Sequence, residues 1–522
     1  MDTGTETGAD AGMDAGVDAG VDAGVETGAD TGAVAELLAA VWSEVLDGVP
    51  VGPSDNFFDL GGDSLLIIEA VALAREEGLE FTPLELIEYQ TVTELAARIA
   101  DRGQATTGAA ATGATATGVA QAGPGEFPLT AAQLRFCLAQ PHPQYVTQSV
   151  LWRADGLDPA LLGTALTAVL DHHDSFRLRL HRTPDGSRLR YADDVGLDLE
   201  RHDLSAEPPE RRSAAILATT TRLQRAVDPV TGPLVRAALL DLGTAGQRLF
   251  VTAHHLAVDS ASWRILRGDL ARSVRRLEQG EPLDLPAATS PYGVWAEQLA
   301  EVREGEVTTR HNPDAVVSRA TTATVRTDAE TTGTLLGRAR SELGVGLDAV
   351  VVAAVAQVVA QGHGAERVAV DIERHGRDTG PAERLDISRT TGWFTRLQTI
   401  RLTADGVALR TLVKSADQEL HDTAAESESA PPAGVLVNYL GRFTERAEEL
   451  FGEAGEEIGA DRHPDNLLSH PVEAHAAVDG AHLVTVFSCA GTAPAACAAQ
   501  ALATAYAALL TRLAAELAGE AP

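Results

Sequence analysis

Two adjacent histidines, His254 and His255, precede an aspartate, Asp259, in the segment 254–263, HHLAVDSASW. A histidine can take up and release protons near neutral pH, because its unperturbed pKa is about 6.5. The pattern therefore predicts a base at a strand end, with a buried carboxylate that positions it. Adjacent side chains on a strand point to opposite faces, so we expect the two histidines to differ in role and interpret His254 as structural.

A second candidate is Ser64, which follows two glycines in the segment 56–65, NFFDLGGDSL. Glycines permit a tight turn, and the apolar spacing predicts a helix that runs from Ser64 to about Glu77. A serine at a helix start exposes its hydroxyl, and the helix N-terminus favours an attached phosphate through its dipole and free amides. Taken alone, Ser64 could equally be an ordinary N-cap.

The elements around the histidines are a strand and a helix. The apolar run 248–252 predicts a strand, and helical periodicity from about Trp263 to Glu278 predicts an amphipathic helix. Beyond Phe127, strand-like and helix-like segments alternate, which indicates a mixed α/β fold. Composition divides the chain into a disordered acidic leader at 1–32, a small helical domain at 33–101, a flexible linker at 102–126, and a catalytic region at 127–522 with lobes at about 127–302 and 313–522.

Net charge excludes two classes of partner. The chain has 41 basic and 75 acidic residues, a net charge of −34, whereas nucleic-acid binders carry basic patches that neutralise phosphates. An anionic membrane surface is disfavoured for the same reason. The three cysteines, Cys137, Cys489 and Cys497, form no close-spaced motif, so we expect no metal site and a reducing, cytoplasmic location. We find no apolar run long enough to span a membrane.

Segment 56–65, together with its helical surroundings, resembles the carrier (thiolation) domain of nonribosomal peptide synthetases. The resemblance covers the small helical domain and implies a four-helix fold. It implies that Ser64 is the attachment site of 4′-phosphopantetheine, from which an aminoacyl or peptidyl group hangs as a thioester.

The region after Phe127 resembles the epimerization branch of the condensation-domain superfamily from the same synthetases. The His-His-x-x-x-Asp pattern is shared by condensation and epimerization domains, whereas three later motifs are typical of epimerization domains. The resemblance implies two chloramphenicol-acetyltransferase-like lobes in a V, with His255 near the tunnel between them. The three later motifs are IERHGRD at 372–378, LDISRTTGWFT at 385–395 and VNYLGRF at 437–443.

Epimerization needs two proton-transferring groups on opposite faces of Cα. Matched by motif, the resemblance implies that His255 and Glu373 are this pair, and the sequence leaves open which is the base for the L substrate. Negative charge on the thioester oxygen needs hydrogen-bond donors, for which Tyr439, Asn438 or a backbone amide could serve. Asp259 is interpreted as an organiser of its loop through an arginine, and Arg377 as an ion-pair partner that could touch the site.

The sequence departs from the family pattern at several positions. Ser260 replaces the usual glycine after Asp259, and Arg374 replaces the glycine after Glu373. The opening motif at 131–137, AAQLRFC, matches only in part. A glycine- and tyrosine-rich motif expected between Lys414 and Asn438 is not recognisable.

We therefore predict a carrier–epimerization didomain that inverts Cα of a Ser64-bound thioester in peptide natural-product biosynthesis. No adenylation domain is recognised, so the expected partners are a phosphopantetheinyl transferase and an adenylation enzyme or other synthetase modules acting in trans. Two alternatives stay open. One is a condensation-type acyltransferase that uses His255 to assist an attacking amine, and the other is a non-catalytic protein that only presents the thioester.

Overall fold

The computed structural model describes the chain in eleven stretches. Most of the predicted leader and linker lies outside the described residues, as do residues 422–432 of the span expected to hold the glycine- and tyrosine-rich motif. The described residues are 31–46, 48–62, 64–106, 125–138, 140–184, 186–299, 315–377, 385–421, 433–443, 450–492 and 498–519.

The small domain consists of four helices around an apolar core. Trp42 and Phe57 are fully buried there and meet edge to face, with ring centroids 5.0 Å apart. Thr82 caps the third helix in a capping box with Glu85, whose carboxylate accepts from the Thr82 backbone N–H. The helices are α1 Thr31–Val45, α2 Ser64–Glu76, α3 Pro83–Glu88 and α4 Val92–Thr106.

The helices of the small domain extend along the chain beyond both predicted ends, 33 and 101. Helix α1 begins at Thr31, inside the predicted leader, and α4 continues to Thr106, inside the predicted linker. At the second end, Arg102 forms an ion pair with Glu85, which holds the last helical turns against α3. Composition could not detect this pair, because the two residues come together only in the folded domain.

The first lobe has a four-stranded sheet, ordered β2-β7-β6-β5, and a three-stranded sheet, ordered β1-β4-β3. Its strands are β1 Phe127–Pro128, β2 Thr147–Arg153, β3 Leu178–Thr183, β4 Gly186–Tyr191, β5 Leu199–Asp203, β6 Val235–Asp241 and β7 Gln247–His254. Its helices are α5 Ala131–Gln133, which continues as a π-helix to Leu138, α6 Pro159–His172, α7 Pro209–Arg225, α8 Ser260–Glu278 and α9 Tyr292–Glu297.

The second lobe has a six-stranded mixed sheet, ordered β10-β9-β11-β12-β13-β8. Its strands are β8 Thr321–Arg326, β9 Arg367–Arg374, β10 Arg396–Thr403, β11 Val435–Phe443, β12 Val472–Asp479 and β13 His482–Cys489. Its helices are α10 Ala329–Arg338, α11 Leu347–His363, α12 Leu409–His421 and α13 Ala499–Ala518. Short 3₁₀ or π turns lie at 174–177, 243–245, 317–319 and 339–343.

Two long apolar helices form the centre of the second lobe. Every residue from Leu347 to Ala360 on α11 is buried except Asp348, which is part-exposed. Helix α13 is long and apolar enough to cross a membrane by composition, as is the sharply bent pair formed by 329–343 and 347–363. However, Tyr506 and Leu510 of α13 are fully buried in the core of the lobe. These helices therefore belong to a packed interior, and their apolar character follows from that burial.

The lobes are not continuous in sequence, in contrast to the simple division predicted. Trp393 and Phe394 belong to the core of the first lobe, although they follow β9 of the second. The segment 450–467 also crosses to the first lobe, where Phe451 is buried and Glu453 bridges Trp152 of β2. Segments that cross from one lobe to the other leave no periodic signal in the sequence. The sequence could therefore suggest only a contiguous boundary between the lobes.

Candidate active site

Strand β7 ends at His254, whose side chain points into the first lobe. His254 has no exposed surface; its Nε2 donates to the Pro143 carbonyl at 2.9 Å, and its Nδ1 accepts from the Leu256 N–H at 3.2 Å. Burial lowers the pKa of His254 to about 4. The ring is thus neutral and committed to the local backbone, which is a structural arrangement.

His255 lines the cavity between the lobes. Its ring stacks on Trp393, with centroids 3.8 Å apart and an interplanar angle of 23°. Its Nε2 lies 2.9 Å from the side-chain amide nitrogen of Gln148. Burial lowers the pKa of His255 to about 4, a shift that the nearby Asp259 carboxylate opposes. His255 is therefore a neutral imidazole at physiological pH, able to accept a proton.

Asp259 is engaged from several directions by hydrogen-bond donors. Its Oδ1 accepts from the Ser262 N–H at 2.8 Å, which caps α8 and starts this helix at Ser260, earlier than predicted. Arg377 donates to both carboxylate oxygens, at 3.0 and 3.2 Å, and the Phe394 N–H lies 3.3 Å from Oδ2. The Asp259 carboxylate thus joins the histidine segment to the motifs at 372–378 and 385–395. It also organises the loop between His255 and α8.

Arg377, the ion-pair partner of Asp259, is also fixed by several contacts. Its Nη1 donates to the Thr390 carbonyl at 2.7 Å and to the Ile387 carbonyl at 3.1 Å. Its guanidinium carbon lies 4.0 Å from the centroid of the Phe394 ring. With a side chain that is 1% exposed, Arg377 is an internal brace and does not line the cavity.

Glu373 comes from the opposite lobe, near the end of β9. Parallel pairing aligns Val437 of β11 with Ile372 of β9, so Asn438 lies beside Glu373 and donates from Nδ2 to its Oε2. Burial raises the pKa of Glu373, whereas the positive charges of His475 and Arg462 lower it. The net effect is a pKa above the ordinary value of a glutamate, with burial as the main cause.

His255 and Glu373 line one cavity. Residues from both lobes meet there, with the first lobe contributing the histidine side and β9, β11 and α11 contributing the other. Two titratable side chains thus line a shared space from different lobes. The lining residues are Gln148, His255, Asp259, Ser260, Asp348, Val352, Ile372, Glu373, Arg374, His375, Thr395, Leu420, Val437, Asn438, Tyr439 and Leu440.

The residues that depart from the family pattern also lie at this cavity. Ser260 lines it as the first residue of α8, and Arg374 adds a cation one residue after Glu373. Tyr439 lines the cavity and packs partly against the core of the second lobe. His375 accepts from the Arg377 N–H at 3.1 Å through Nδ1, which orients its ring locally.

The small domain docks beside this cavity. On α2, Ile68 packs against Ala261 in a buried contact, and Glu69 lies 3.6 Å from Arg264 of α8. Further along α2, Arg75 forms an ion pair with Asp386 at 2.5 Å and donates to Ser388 Oγ at 3.0 Å. The interface thus combines an apolar contact with two pairs of opposite charges, and α2 supplies the acidic residue of one pair and the basic residue of the other.

A second set of contacts involves the turn before α2. Arg340 lies 3.4 Å from Asp59 and donates to Gln90 at 3.2 Å, and its guanidinium is 5.2 Å from the Phe58 ring. Gly61 has a φ of +100° and approaches Arg442 so closely that a Cβ would lie 2.0 Å from the guanidinium. The positive φ favours glycine at this position, and a larger residue would also require the Arg442 side chain to move.

Ser64 begins α2 between these two groups of contacts. Gly61 precedes it and meets Arg442, and Ile68 follows it and meets Ala261. Arg442 and Ala261 are close in sequence to Leu440 and Ser260, which line the cavity. The start of α2 therefore lies between contacts to two residues, Arg442 and Ala261, that are neighbours in sequence of cavity-lining residues.

A phosphopantetheine group fits at this position. The free amides and dipole of the 13-residue helix α2 favour a phosphate on its first residue.

Another group of possible metal ligands lies outside the cavity, among the residues described. His142, His463 and Asp465 have ligand atoms within 4.8 Å of one another. The two imidazole rings are nearly stacked, with centroids 3.7 Å apart and planes at 32°.

Sequence reasoning missed Gln148 and His475. Gln148 contacts the His255 ring directly, and His475 lies opposite Asn438 in the register of β11 and β12. A lone glutamine on a half-buried strand gave no signal, because its role depends on pairing with β7.

Two family models match the sequence. Residues 36–99 match the phosphopantetheine attachment site family and residues 124–313 match the condensation domain family. Linear gramicidin synthase from Brevibacillus parabrevis has a polypeptide that is 31% identical over 493 residues, which cover 85% of this chain and 9% of that polypeptide. Tyrocidine synthase 1 from the same organism is 26% identical over 508 residues, 87% of this chain and 45% of its own length. The chain thus spans only a small part of the first of these relatives.

Solved structures share the fold. The epimerization domain from the third module of tyrocidine synthetase B superposes with a TM-score of 0.65 at 21% identity, covering 76% of this chain and 97% of that one. The first condensation domain of the calcium-dependent antibiotic synthetase gives a TM-score of 0.55 at 20% identity, covering 76% and 98%. The prediction of a helical domain followed by a two-lobed, chloramphenicol-acetyltransferase-like domain is confirmed.

Proposed function

The chain joins a phosphopantetheine carrier domain to a condensation-superfamily domain, and on that premise we propose that it epimerizes an aminoacyl or peptidyl thioester carried on Ser64. The reaction would invert Cα from L to D during nonribosomal peptide biosynthesis. The observation that carries the proposal is the presence of Glu373 and His255 in one cavity.

Burial shifts the pKa values of the two groups in opposite directions. Burial leaves His255 neutral, so its ring can accept the α-proton, and burial raises the pKa of Glu373, so its carboxyl group can hold the proton that is delivered. When bound, the phosphopantetheine arm presents the acyl group as a thioester, whose α-proton is comparatively acidic. His255 then acts as base and Glu373 as acid for one direction of inversion, and the roles exchange for the other.

Neighbouring groups support the developing negative charge. Arg374 adds a positive charge at the cavity wall, and Asn438 presents a carboxamide that already donates to Glu373. Preorganised donors and charges are most effective in a water-poor site. We assign this supporting role to Arg374, Asn438 and Tyr439.

The carrier must be modified and loaded by other proteins. We propose that a phosphopantetheinyl transferase modifies Ser64, and that an adenylation enzyme or another synthetase module supplies the acyl group in trans. The acidic character of the chain, with a net charge of −34, favours partners with basic surfaces.

A condensation-type acyltransferase is the second candidate. The match of residues 124–313 to the condensation domain family favours it, since the His255 segment lies in that range. In this reaction His255 would assist an amine that attacks the Ser64-bound thioester, and Glu373 would not be needed.

A deuterium experiment distinguishes the two. The full chain is loaded on Ser64 with an L-aminoacyl phosphopantetheine in deuterated water, and the released amino acid is analysed for chirality and Cα label. D product with deuterium at Cα, lost in Glu373→Gln and His255→Ala, is expected. Glu200→Gln is a matched control, because this carboxylate pairs with Arg222 outside the cavity.

Two outcomes would contradict epimerization. One is retention of the L configuration without label while an added amine gives an amide that depends on Ser64, which would favour acyl transfer. The other is the absence of both products from a fully loaded carrier, which would favour a presenting protein.

A further inference from the structure

His255 takes part in a short chain of side-chain hydrogen bonds that begins at an indole. Trp263 donates from Nε1 to Gln148 Oε1 at 2.9 Å, and Gln148 Nε2 lies 2.9 Å from His255 Nε2. All three side chains belong to the first lobe, on α8, on β2 and directly after β7. The contact therefore lies within one lobe and does not depend on how the lobes are oriented.

The chemistry of the indole sets the direction of the whole chain. A tryptophan side chain can only donate, so the oxygen of the Gln148 carboxamide must face Trp263. The amide nitrogen, also a donor, then faces His255, and His255 Nε2 must accept. The ring proton of neutral His255 consequently resides on Nδ1.

We propose that Trp263 fixes Gln148 as an obligate hydrogen-bond donor to His255, and that this pair holds His255 in the Nδ1–H tautomer with the Nε2 lone pair directed at the Gln148 amide, which has to give way when Nε2 takes up a proton. The proposal deepens the proposed function and rests on it for its catalytic meaning. Gln148 and Trp263 are positioning residues for the proton transfer.

The same geometry disfavours the imidazolium. Once His255 has taken up a proton, its Nε2–H points at the Gln148 NH₂ group, and two donors face each other. Rotation of the carboxamide would relieve this contact but would turn the NH₂ group toward the Trp263 N–H. Each orientation leaves one pair of opposed donors, so His255 readily passes its proton on.

The framework holds both positioning residues in place. Antiparallel pairing aligns Gln148 of β2 with Ala253 of β7, two residues before His255. The Trp263 ring meets Trp152 edge to face, with centroids 6.1 Å apart at 82°. Trp393, stacked on the His255 ring, restricts its tilting.

Other charged groups act on His255 independently of Gln148. Asp259 raises the pKa of His255, whereas His254 and Arg462 lower it, and a contact with its own main chain raises it. Burial has the largest effect and lowers the pKa. None of these groups changes when Gln148 or Trp263 is substituted, so a change in His255 titration reports the hydrogen-bonded pair.

Nuclear magnetic resonance of the full chain with ¹⁵N-labelled histidine tests the proposal without any substrate. The chain has 15 histidines, and the His255 signals are identified by their loss in His255→Gln. In the wild type we expect the Nδ1–H tautomer at neutral pH. In Trp263→Phe the carboxamide can turn, and the midpoint of His255 protonation should rise by about one pH unit, a tenfold change in proton affinity.

Gln148→Glu is the second variant. Its carboxylate accepts a hydrogen bond from the imidazolium, so the midpoint pH of His255 protonation should rise further than in Trp263→Phe. His254 serves as an internal reference for folding in every sample, since its hydrogen bonds do not involve Gln148 or Trp263. An Nε2–H tautomer in the wild type would overturn the proposal. So would unchanged His255 titration in both variants while the His254 signals stay native.

The result is separable from that of the deuterium experiment. If the tautomer and titration are as expected but no deuterium enters Cα, the proposed function fails and the assignment of the hydrogen-bonded pair stands.

Discussion

Asp259 of the first lobe and Arg377 of the second form a buried ion pair, with Arg377 Nη2 at 3.0 Å from Asp259 Oδ1. The Arg377 side chain is 1% exposed and that of Asp259 is 6% exposed. The pair connects the loop that follows His255 to the loop that follows Glu373, so the two lobes are joined directly beside the cavity. In the proposed epimerization, the distance between His255 and Glu373 thus depends on an ion pair that itself does no chemistry.

Removal of the Asp259 carboxylate should destabilise the protein strongly. Asp259→Asn leaves the Arg377 guanidinium buried without its counter-ion, which costs about 3–5 kcal/mol for pairs of this type. The free energy of unfolding from denaturant titration measures the loss. Asp386→Asn, which breaks a half-exposed ion pair with Arg75, should cost about 1 kcal/mol or less and is the matched control. Equal losses in the two variants would contradict the assignment of Asp259 as an internal brace.

Ser64→Ala should remove the modification without unfolding the carrier domain. Ser64 is the first residue of α2, and alanine is compatible with a helix start, although it is a weaker cap. Mass spectrometry after treatment with a phosphopantetheinyl transferase and coenzyme A should show the added group in the wild type and none in Ser64→Ala. Modification that persists in the variant would place the attachment site at another residue.

The pH profile should have an acidic limb well below the ordinary histidine pKa. Because burial lowers the pKa of His255 to about 4, the base stays unprotonated until the pH falls near that value. Glu373 must be protonated to donate, and its raised pKa moves the alkaline limb above the ordinary value of 4.5. The dependence of kcat/KM on pH in the L-to-D direction measures both limbs. An acidic limb near 6.5 would show that His255 is solvated in the free protein.

Exchanging the charges of Arg75 and Asp386, at the interface between the small domain and the two-lobed domain, should restore the epimerization rate that a single substitution lowers. Arg75→Asp opposes Asp386 and should slow epimerization of the loaded carrier by up to about fivefold, since a half-exposed ion pair contributes at most about 1 kcal/mol. The double variant Arg75→Asp, Asp386→Arg should recover most of the rate. The effect of the single variant should shrink as salt is added, because exposed charges are screened. A double variant as slow as the single one would show that these residues do not meet during turnover.

Local sequence patterns predicted several features accurately. The strand before His254, the helix after Asp259 and the helix beginning at Ser64 all follow from apolar periodicity and capping residues over short distances. The motif at 385–395 could be recognised, but its location could not. It follows β9 of the second lobe yet supplies Trp393 and Phe394 to the core of the first.

The sequence by itself determined the residue types able to do chemistry, the helical carrier and the mixed α/β catalytic domain, because these depend on local spacing and on motifs that are contiguous in the chain. Only the tertiary structure decided that Glu373 lines the same cavity as His255, that Gln148 contacts His255, and that Gly61, just before α2, meets Arg442. These relationships join residues more than a hundred positions apart. They are fixed by strand register, burial and interlobe ion pairs, whose partners are defined only when the chain has folded.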